Sequence, residues 1–388
     1  MRDFIHFYLN GKPVTLSGSA VFQTLSDFLR YERGATGTKV VCAEGDCGAC
    51  TVLLGKVEAG ALAYRAVNSC IQSLYQLDCT HVITVEGVKL NGTLCAVQEA
   101  MTANHAAQCG YCTPGFVVSM CGLFDAQTSV TEQDIKDALT GNLCRCTGYE
   151  PIIKSGLAVE TDRVVKFSQM YPQAEMLESF RKLADQPIYI QAGNQTFGSP
   201  TETAGAIKFK AGHEKTVVVQ GATDVGVWCN KRNFVPPAVL SLSKIEELKD
   251  LTIAGDVVRV GARVTLSELE AFIKDVVPEF YAILNIFGAP QIKNAGTLAG
   301  NIANGSPIAD TLPFLFVMEA ELELASKSKR RMVPITSFYK GYKDLDLNAD
   351  EVIANVHLPL PKSDEIVKLY KVSRRIHLDI SSFTAAFR

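Results

Sequence analysis

The sequence predicts an α+β fold of several domains, and three observations lead to this prediction. The chain has 388 residues, which exceeds the usual size of one domain. Residues 1–86 alternate short apolar runs with turns, as strands do, whereas residues 93–160 follow a helical period. Strand-like and helix-like segments mix from about residue 196 onward, and the polar residues 161–195 are predicted to be a linker.

Local signals place elements within the first two zones. A hairpin is predicted to turn at Asn10-Gly11, a dipeptide typical of two-residue turns. A short helix is predicted over residues 24–31, and a strand over residues 51–54. In the helical zone, Thr131 is predicted to cap a helix whose first turn is acidic, which the helix dipole favours.

Composition narrows the class of protein. Hydrophobic residues make up 47% of the chain and charged residues 20%, which is ordinary for a globular protein. The net charge of −3 gives no reason to expect nucleic acid as a partner. No apolar run is long enough for a membrane span, and the first residues do not indicate a secretory signal. The chain is therefore predicted to be cytoplasmic and reduced.

The cysteines need an explanation in a reducing compartment, where disulfides are disfavoured. Eleven of the twelve cysteines precede residue 147, in clusters with ligand-like spacing, which favours metal binding. Four cysteines lie outside the two motifs described next and are predicted to be small buried hydrophobes: Cys79, Cys95, Cys121 and Cys229.

The first motif has the spacing C-x4-C-x2-C, followed after nineteen residues by a fourth cysteine. Its members are Cys42, Cys47, Cys50 and Cys70. This is the plant-type ferredoxin pattern of a [2Fe–2S] cluster. Gly45 and Gly48 allow the tight curl that brings three thiolates of one loop to two irons. The alternative is a structural zinc site, but zinc sites usually use paired short knuckles.

The second motif consists of a C-x2-C pair and, after 31 residues, a C-x-C pair. Its members are Cys109, Cys112, Cys144 and Cys146. The first pair precedes a helix predicted to start near Pro114, and the second follows a helix predicted over residues 135–139. Two antiparallel helices would bring the pairs together. Taken alone, this motif also suits zinc; the C-x-C spacing and the neighbouring motif favour a second iron–sulfur cluster.

Three segments resemble the iron–sulfur domains of molybdenum hydroxylases: residues 44–51, 108–115 and 141–149. The resemblance covers the chain up to about residue 160. It implies a β-grasp, plant-type ferredoxin domain over residues 1–86 and a four-helix bundle over residues 87–160. Each domain would hold a [2Fe–2S] cluster.

The same resemblance implies that Gln108 and Cys146 lie beside the molybdopterin of a partner domain. Without it, Gln108 would simply be a helix-capping amide and Cys146 a cluster ligand.

Two stretches in the second half of the chain suit a large ligand with phosphates. Residues 217–226 form an apolar strand that runs into a glycine-bearing turn, whose amides could bind an anion. Residues 295–310 combine glycines with small residues and Asn and Ser donors. Neither matches the G-x-G-x-x-G fingerprint. From the residues alone, ordinary turns are an equally good interpretation.

Both stretches resemble the FAD-binding domain of xanthine dehydrogenases, which implies an α+β FAD-binding domain over residues 196–370. The resemblance places one set of residues on the pyrophosphate and adenosine side: Val217, Val218, Val219, Gln220, Gly221, Ala222, Thr223 and Asp224. It places a second set at the flavin: Phe287, Thr297, Leu298, Ala299, Gly300, Asn301, Asp310, Ile353 and Lys371.

Simpler interpretations exist for several of these residues. Phe287 and Ile353 could be core residues, and Asp310 could cap a helix over residues 312–324. Lys371 could be a solvated charge on a strand.

The domain order resembles the small iron–sulfur and FAD subunit of bacterial xanthine dehydrogenases. This implies a molybdopterin-binding large subunit as partner, in an (αβ)2 heterotetramer, and no catalytic residue on this chain. Electrons from the hydroxylation of hypoxanthine or xanthine would pass through both clusters to FAD and then to NAD+. The alternatives are the same role for an aldehyde or N-heterocycle, and a non-enzymatic metal-binding scaffold.

The resemblance also implies a further C-terminal module beginning near residue 371. Residues 371–388 would hold at most its first strand. Either the sequence is truncated or another chain supplies the rest, and truncation could leave a subunit with clusters but no flavin.

Overall fold

A computed structural model describes residues 1–89 and 92–388; the two residues between them belong to the predicted helical domain and lie outside the described residues. The first domain is a five-stranded sheet with the spatial order β2-β1-β5-β3-β4. Its strands are β1 (Phe4–Leu9), β2 (Lys12–Ser17), β3 (Thr51–Glu58), β4 (Ala61–Asn68) and β5 (His81–Ile83). Its helix is α1 (Leu25–Asp27), which continues as a π-helical turn over Phe28–Glu32.

The predicted hairpin is confirmed. Strands β1 and β2 pair antiparallel, with Leu9 opposite Lys12. Asn10 and Gly11 both have positive φ, at 48° and 79°, as a tight two-residue turn between twisted strands requires.

The second domain contains the helices α2 (Ala96–Ala103), α3 (Thr113–Ala126), α4 (Glu132–Leu139) and α5 (Glu150–Leu157). The predicted cap is confirmed, since the Thr131 hydroxyl accepts a hydrogen bond of 3.2 Å from the Asp134 amide. Helix α3 packs on β3, and Gly122 allows this close approach because a Cβ there would lie 2.7 Å from Leu53. The first two domains therefore share one hydrophobic core.

Residues 161–195, predicted to be a linker, contain regular structure. They hold α6 (Phe167–Met170), α7 (Ala174–Ala184) and β6 (Ile188–Ala192), and β7 (Gln195–Ser199) begins at their end. The segment is fastened to the first domain: Phe180 packs edge-on against Tyr8, and the Tyr171 hydroxyl donates to the Gly87 carbonyl at 2.6 Å. Burial of aromatic side chains, which a polar average conceals, accounts for this order.

The third domain begins with a four-stranded sheet of order β6-β7-β9-β8. Its further strands are β8 (Thr216–Val219) and β9 (Ala238–Ser241), and its helices are α8 (Thr203–Gly212) and α9 (Thr223–Arg232). Strands β8 and β9 are parallel. The predicted strand and turn at residues 217–226 are thus confirmed as β8 leading into α9.

A five-stranded antiparallel sheet of order β10-β11-β16-β12-β13 forms the rest of this domain. Its strands are β10 (Leu251–Ala254), β11 (Val257–Gly261), β12 (Glu321–Ala325), β13 (Arg330–Pro334) and β16 (Val352–Pro359). The small paired strands are β14 (Tyr339–Gly341) with β15 (Asp344–Leu345), and β17 (Lys368–Val372) with β18 (Phe383–Phe387). The helices are α10 (Leu266–Ile273), α11 (Pro278–Phe287), α12 (Pro290–Lys293), α13 (Leu298–Asn304), α14 (Leu312–Val317) and α15 (Ile335–Phe338).

One prediction in this region is wrong. The helix expected over residues 312–324 ends at Val317, and residues 321–325 form β12 instead. The alternation of Leu322 and Leu324, both fully buried, with glutamates explains the strand.

Residue 2 joins the first domain to the third. The Arg2 amide donates to the Pro187 carbonyl at 3.0 Å, beside the edge of β6. Its guanidinium forms a buried ion pair of 2.5 Å with Asp78, and Lys244 of the third domain contacts the same carboxylate at 3.0 Å. Burial opposes ionisation of Asp78, but the hydrogen bond from Arg2 and the two cations outweigh it and lower the pKa of Asp78.

Among the described residues, no helix is both long and apolar enough to cross a membrane.

Candidate iron–sulfur and flavin sites

The structure brings the four cysteines of the first motif together, and we call them the inner cysteine group: Cys42, Cys47, Cys50 and Cys70. The first three lie on the irregular loop before β3, and the fourth follows β4. The Cys47 amide donates to the Cys42 sulfur at 3.4 Å. Cys50 and Cys70 are buried, and Cys42 and Cys47 are half-buried.

Contacts between these thiols set their protonation. Hydrogen bonds from the Cys47 and Cys70 thiols, together with backbone amides, lower the pKa of Cys42 far below its usual value. Each of these two thiols donates its own hydrogen bond to Cys42, and this raises the pKa of Cys47 and the pKa of Cys70. The hydrogen bond from the Cys70 thiol also lowers the pKa of Cys50. The loop therefore already favours thiolate at two of the four positions, the form that binds iron.

Two features of the structure require glycine at position 48, in agreement with the curled loop predicted from the sequence. Its φ is +67°, in the left-handed region that favours glycine. A Cβ at this position would also clash with the Gly141 carbonyl of the second domain. The inner loop and the second domain therefore approach with backbone against backbone.

The second motif forms another cluster of four thiols, which we call the outer cysteine group: Cys109, Cys112, Cys144 and Cys146. Cys112 lies at the start of α3, and the C-x-C pair follows α4, as predicted from the helix pattern. The sulfurs of Cys109 and Cys146 lie 3.5 Å apart. Both of these residues are exposed, as is Gln108 beside them.

Burial and the neighbouring Cys144 raise the pKa of Cys112 to about 12. Burial opposes ionisation of Cys144, but the Thr147 hydroxyl, 3.1 Å from its sulfur, and the Thr147 amide outweigh this and lower its pKa. A hydrogen bond from the Tyr111 amide also lowers the pKa of Cys109.

Each group fits a [2Fe–2S] cluster by its donor set, since four thiolates are the ligands that two bridged irons take in such proteins. In residues 1–89 and 92–388, no three His, Cys, Asp or Glu side chains are spaced to hold a single metal ion.

The two groups are joined by one backbone hydrogen bond. The Leu143 amide donates to the Cys47 carbonyl at 3.0 Å, so a residue next to Cys144 is bonded directly to a member of the inner group.

Helix α9 links the inner group to the third domain. The Asn230 side chain donates to the Cys70 carbonyl at 2.7 Å and to the Ala43 carbonyl at 2.9 Å. Gly226 lies so close to Ile71 that a Cβ would clash with its carbonyl. This helix begins at the glycine-bearing turn after β8, so one helix connects that turn with the inner cysteine loop.

The two stretches predicted to bind FAD lie side by side. The Asn304 side chain donates to Asp224 at 2.9 Å, and a Cβ on Gly221 would clash with the Ala295 carbonyl. Ala222 has a φ of +54°, which marks the turn as constrained. Of the other residues predicted here, Val217, Val218 and Val219 belong to β8, Gln220 follows that strand, and Thr223 is the first residue of α9.

Some of residues 297–301 cap or pack helix α13, and others are accessible to a ligand. The Thr297 hydroxyl caps α13 by accepting from the Gly300 amide at 3.0 Å, and Leu298 and Ala299 are buried. Gly300 is exposed, and Asn301 accepts a hydrogen bond from Thr311.

Asp310 and Lys371, predicted from distant parts of the chain, meet in a buried ion pair of 2.8 Å. The interpretation of Lys371 as a solvated charge is wrong, since its side chain is 1% exposed. Asp310 also accepts from Thr384 of β18. Phe287 is half-buried at the end of α11, and Ile353 is buried within β16, both against the main core.

One polar atom without a partner supports the fit of a large polar ligand here. The Gln220 side-chain oxygen, at the end of β8, is buried and has no hydrogen-bond partner among the described residues. Such groups are costly unless a ligand or water satisfies them.

Sequence reasoning missed a buried polar junction of the three domains, formed by Thr51, Ser119, Asn142 and Gln291. The Gln291 amide donates to Asn142 at 2.9 Å and to Thr51 at 3.3 Å, and the Ser119 hydroxyl donates to Asn142 at 2.8 Å. Gln291 is only 1% exposed. The only signal in the sequence was an amide between the apolar neighbours Pro290 and Ile292.

Comparison with known families agrees with this arrangement. Residues 7–73 match the 2Fe-2S iron-sulfur cluster binding domain, residues 84–157 the [2Fe-2S] binding domain, and residues 193–361 the FAD binding domain in molybdopterin dehydrogenase. The chain thus combines two domains that match [2Fe-2S] binding domains with one that matches an FAD binding domain.

The chain is also similar to named proteins and to solved structures. Xanthine dehydrogenase 2 of Arabidopsis thaliana is 31% identical over 454 residues, covering 98% of this chain and 33% of that protein. The xanthine dehydrogenase of Drosophila pseudoobscura pseudoobscura is 31% identical over 436 residues, covering 98% of this chain and 32% of that protein. A Cu,Mo-CO dehydrogenase structure is 25% identical with a TM-score of 0.46, covering 49% of this chain and 67% of that chain.

The chain spans about a third of the length of the relatives it matches. The domains matched within it are two that bind [2Fe-2S] clusters and one described as the FAD binding domain in molybdopterin dehydrogenase.

Proposed function

We propose that the chain is the electron-transfer subunit of a xanthine dehydrogenase, relaying electrons from a molybdopterin-binding partner to NAD+. The clusters supply one-electron steps, and FAD converts them to the two-electron chemistry of NAD+. The residues of this chain bind and order these groups, and we assign no catalytic residue to it.

One observation carries the proposal: the candidate sites follow one another in space. Cys109 and Cys146 of the outer cysteine group are exposed, and the amide of Leu143, next to Cys144, donates to the carbonyl of Cys47 in the inner group. The inner group contacts Asn230 of α9, and α9 starts at the predicted FAD turn. Covalent bonds and hydrogen bonds of the described residues therefore connect the surface with the turn proposed to bind FAD, which supports the relay.

The exposed end of this path is the proposed contact with the partner. Gln108, Cys109 and Cys146 share an exposed surface, and Tyr111 beside them is 47% exposed. A large subunit with molybdopterin would cover this surface, in the proposed (αβ)2 heterotetramer. Hypoxanthine or xanthine as substrate rests on the names of the relatives alone.

The test uses the purified chain without a partner. We expect iron and acid-labile sulfide for two clusters, bound FAD, NADH-driven reduction of a dye, and no xanthine turnover. Xanthine hydroxylation by the chain alone would refute the relay role. Zinc without sulfide would instead support the metal-binding scaffold.

Coexpression with the candidate large subunit tests the substrate. Xanthine-dependent NAD+ reduction by the complex is expected. Turnover of only an aldehyde or another N-heterocycle would keep the relay and replace the substrate.

A further inference from the structure

Cys95 and Cys121 lie outside both cysteine groups, yet the structure brings their sulfurs to 3.8 Å from each other. They are 26 residues apart: Cys95 lies directly before α2 and Cys121 in the middle of α3. The sequence predicted two unrelated buried hydrophobes. A contact between two thiols is a different situation, because a disulfide can form only between sulfurs that lie close to each other.

The surroundings of Cys95 favour a reactive thiol. Cys95 is the N-cap residue of α2, and its sulfur accepts from the amide of Gln98. The Cys121 thiol and these helix amides outweigh burial and lower the pKa of Cys95 to about 7. Cys121 is buried, and its pKa is raised by the same contact. Cys95 is therefore the more nucleophilic of the two thiols, and Cys121 is the one that stays protonated.

Small molecules can reach Cys95. A cavity of about 370 Å³ is lined by both cysteines and by the apolar side chains of Phe124, Phe167 and Met170. An ion pair between Glu99 and Arg163, 2.6 Å long, lies at the same cavity. Cys95 is half-buried, whereas Cys121 is 8% exposed and can be reached through Cys95.

We propose that Cys95 and Cys121 form a reversible redox site, oxidised to a disulfide by low-molecular-weight disulfides that enter this cavity. The Cys95 thiolate attacks one sulfur of the reagent RSSR, whose S–S bond breaks and releases RS⁻. The Cys121 thiol then loses its proton and attacks the Cys95 sulfur, releasing the second RS⁻. Two electrons and two protons pass to the reagent, which leaves as two RSH.

The disulfide would fasten the start of α2 to the middle of α3. Helix α3 begins directly after Cys112, a member of the outer group. The redox state of the pair would therefore act on the helix that carries part of the predicted outer cluster site.

The experiment equilibrates the full cluster-bearing chain, without oxygen, in buffers of oxidised and reduced glutathione. Acid quenching, alkylation and peptide mapping then follow, with iron measured in each sample. We expect a Cys95–Cys121 linked peptide that rises with oxidised glutathione, disappears with excess dithiol, and forms at full iron content. Absence of this peptide across the series, or its presence only in protein that has lost iron, overturns the proposal.

Single variants separate the two roles. Cys121→Ala, or Cys121→Ser if the alanine variant does not retain iron, is expected to accumulate a glutathione adduct on Cys95, because no thiol resolves it. Cys95→Ala is expected to leave Cys121 unmodified. Cys229→Ala, which removes a half-buried cysteine of the third domain, is the matched control and should behave as wild type. An adduct on Cys121 in the Cys95 variant would contradict the assignment of the attacking thiol.

Discussion

The inner and outer cysteine groups have the same four ligands but opposite surroundings. Cys50 and Cys70 of the inner group are buried against the third domain, whereas Cys109 and Cys146 of the outer group are exposed. Identical ligand chemistry is therefore placed in two different environments. The buried site depends on three domains packing correctly, and the exposed site depends mainly on two helix ends.

This difference also gives each group a direction. The inner loop contacts α9, which begins at the predicted FAD turn, while Cys109 and Cys146 of the outer group are exposed at the surface. Burial of one site and exposure of the other are what a relay between an external donor and an internal acceptor requires. The predictions below test this contrast, starting with the largest expected effect.

Replacing a ligand should affect stability very differently in the two groups. Cys70→Ser and Cys109→Ser are each expected to lose about half of the iron and sulfide. Cys70→Ser should also destabilise the chain by about 2–5 kcal/mol, because it leaves a polar group and an unfilled site in the core. Cys109→Ser should cost much less stability, because its side chain is exposed. Metal analysis and anaerobic denaturant unfolding measure both. Equal losses of stability in the two variants would show that the burial of a ligand does not determine how much its cluster site contributes to stability.

The close approach of the two loops can be broken with a single methyl group. A Cβ at Gly115 of α3 would clash with the Gly48 carbonyl, so Gly115→Ala should destabilise by about 1–3 kcal/mol. Gly212→Ala is the matched control, since Gly212 lies at the end of helix α8 with open space around it. Alanine there should stabilise by up to about 1 kcal/mol. Urea unfolding measures the stability of both variants. A Gly115→Ala variant with unchanged stability would contradict the tight contact.

The buried polar junction supports the contact between the inner cysteine loop and the second domain, because the Asn142 side chain also donates to the Gly48 carbonyl. Gln291→Leu removes the hydrogen bonds to Asn142 and Thr51 and is expected to cost about 1–3 kcal/mol. Gln133→Leu, at an exposed glutamine of α4, should change stability by less than about 0.5 kcal/mol. Thermal unfolding compares them. The iron of the outer group should stay bound in both variants.

A surface ion pair at the inner loop should matter least. Lys231 of α9 lies 3.5 Å from Glu44, and both side chains are nearly half exposed. Lys231→Ala should cost less than about 1 kcal/mol, and added salt should reduce the difference further. A double-mutant cycle with Glu44→Gln measures the pair. A coupling above this size would mean that the loop is held by charge rather than by packing.

Short motifs made the cysteine groups predictable. Ligand spacing within one loop, and between two helix ends, fixes which side chains converge, so all eight thiols were found from the sequence. The signal for the hairpin at Asn10-Gly11 was equally local, because Asn and Gly are the residues that most readily adopt the two positive φ angles of such a turn.

Long-range packing was not predictable in the same way. Helices α6 and α7 form where a linker was expected, since aromatic residues such as Phe180 find partners in the first domain. Lys371 is buried because Asp310 lies opposite it, and no local pattern joins these two positions. Gln291 was missed for the same reason: its partners come from two other domains.

The contacts of Arg2 bear on how the chain is made. The Arg2 amide bonds with Pro187, and the carboxylate partner of Arg2 is shared with Lys244. The first domain therefore cannot complete these contacts until the segment that contains Lys244 has been synthesised. Cluster insertion into the early cysteine loop would have to wait for, or tolerate, this delay, which makes translation and cofactor assembly a single timed process.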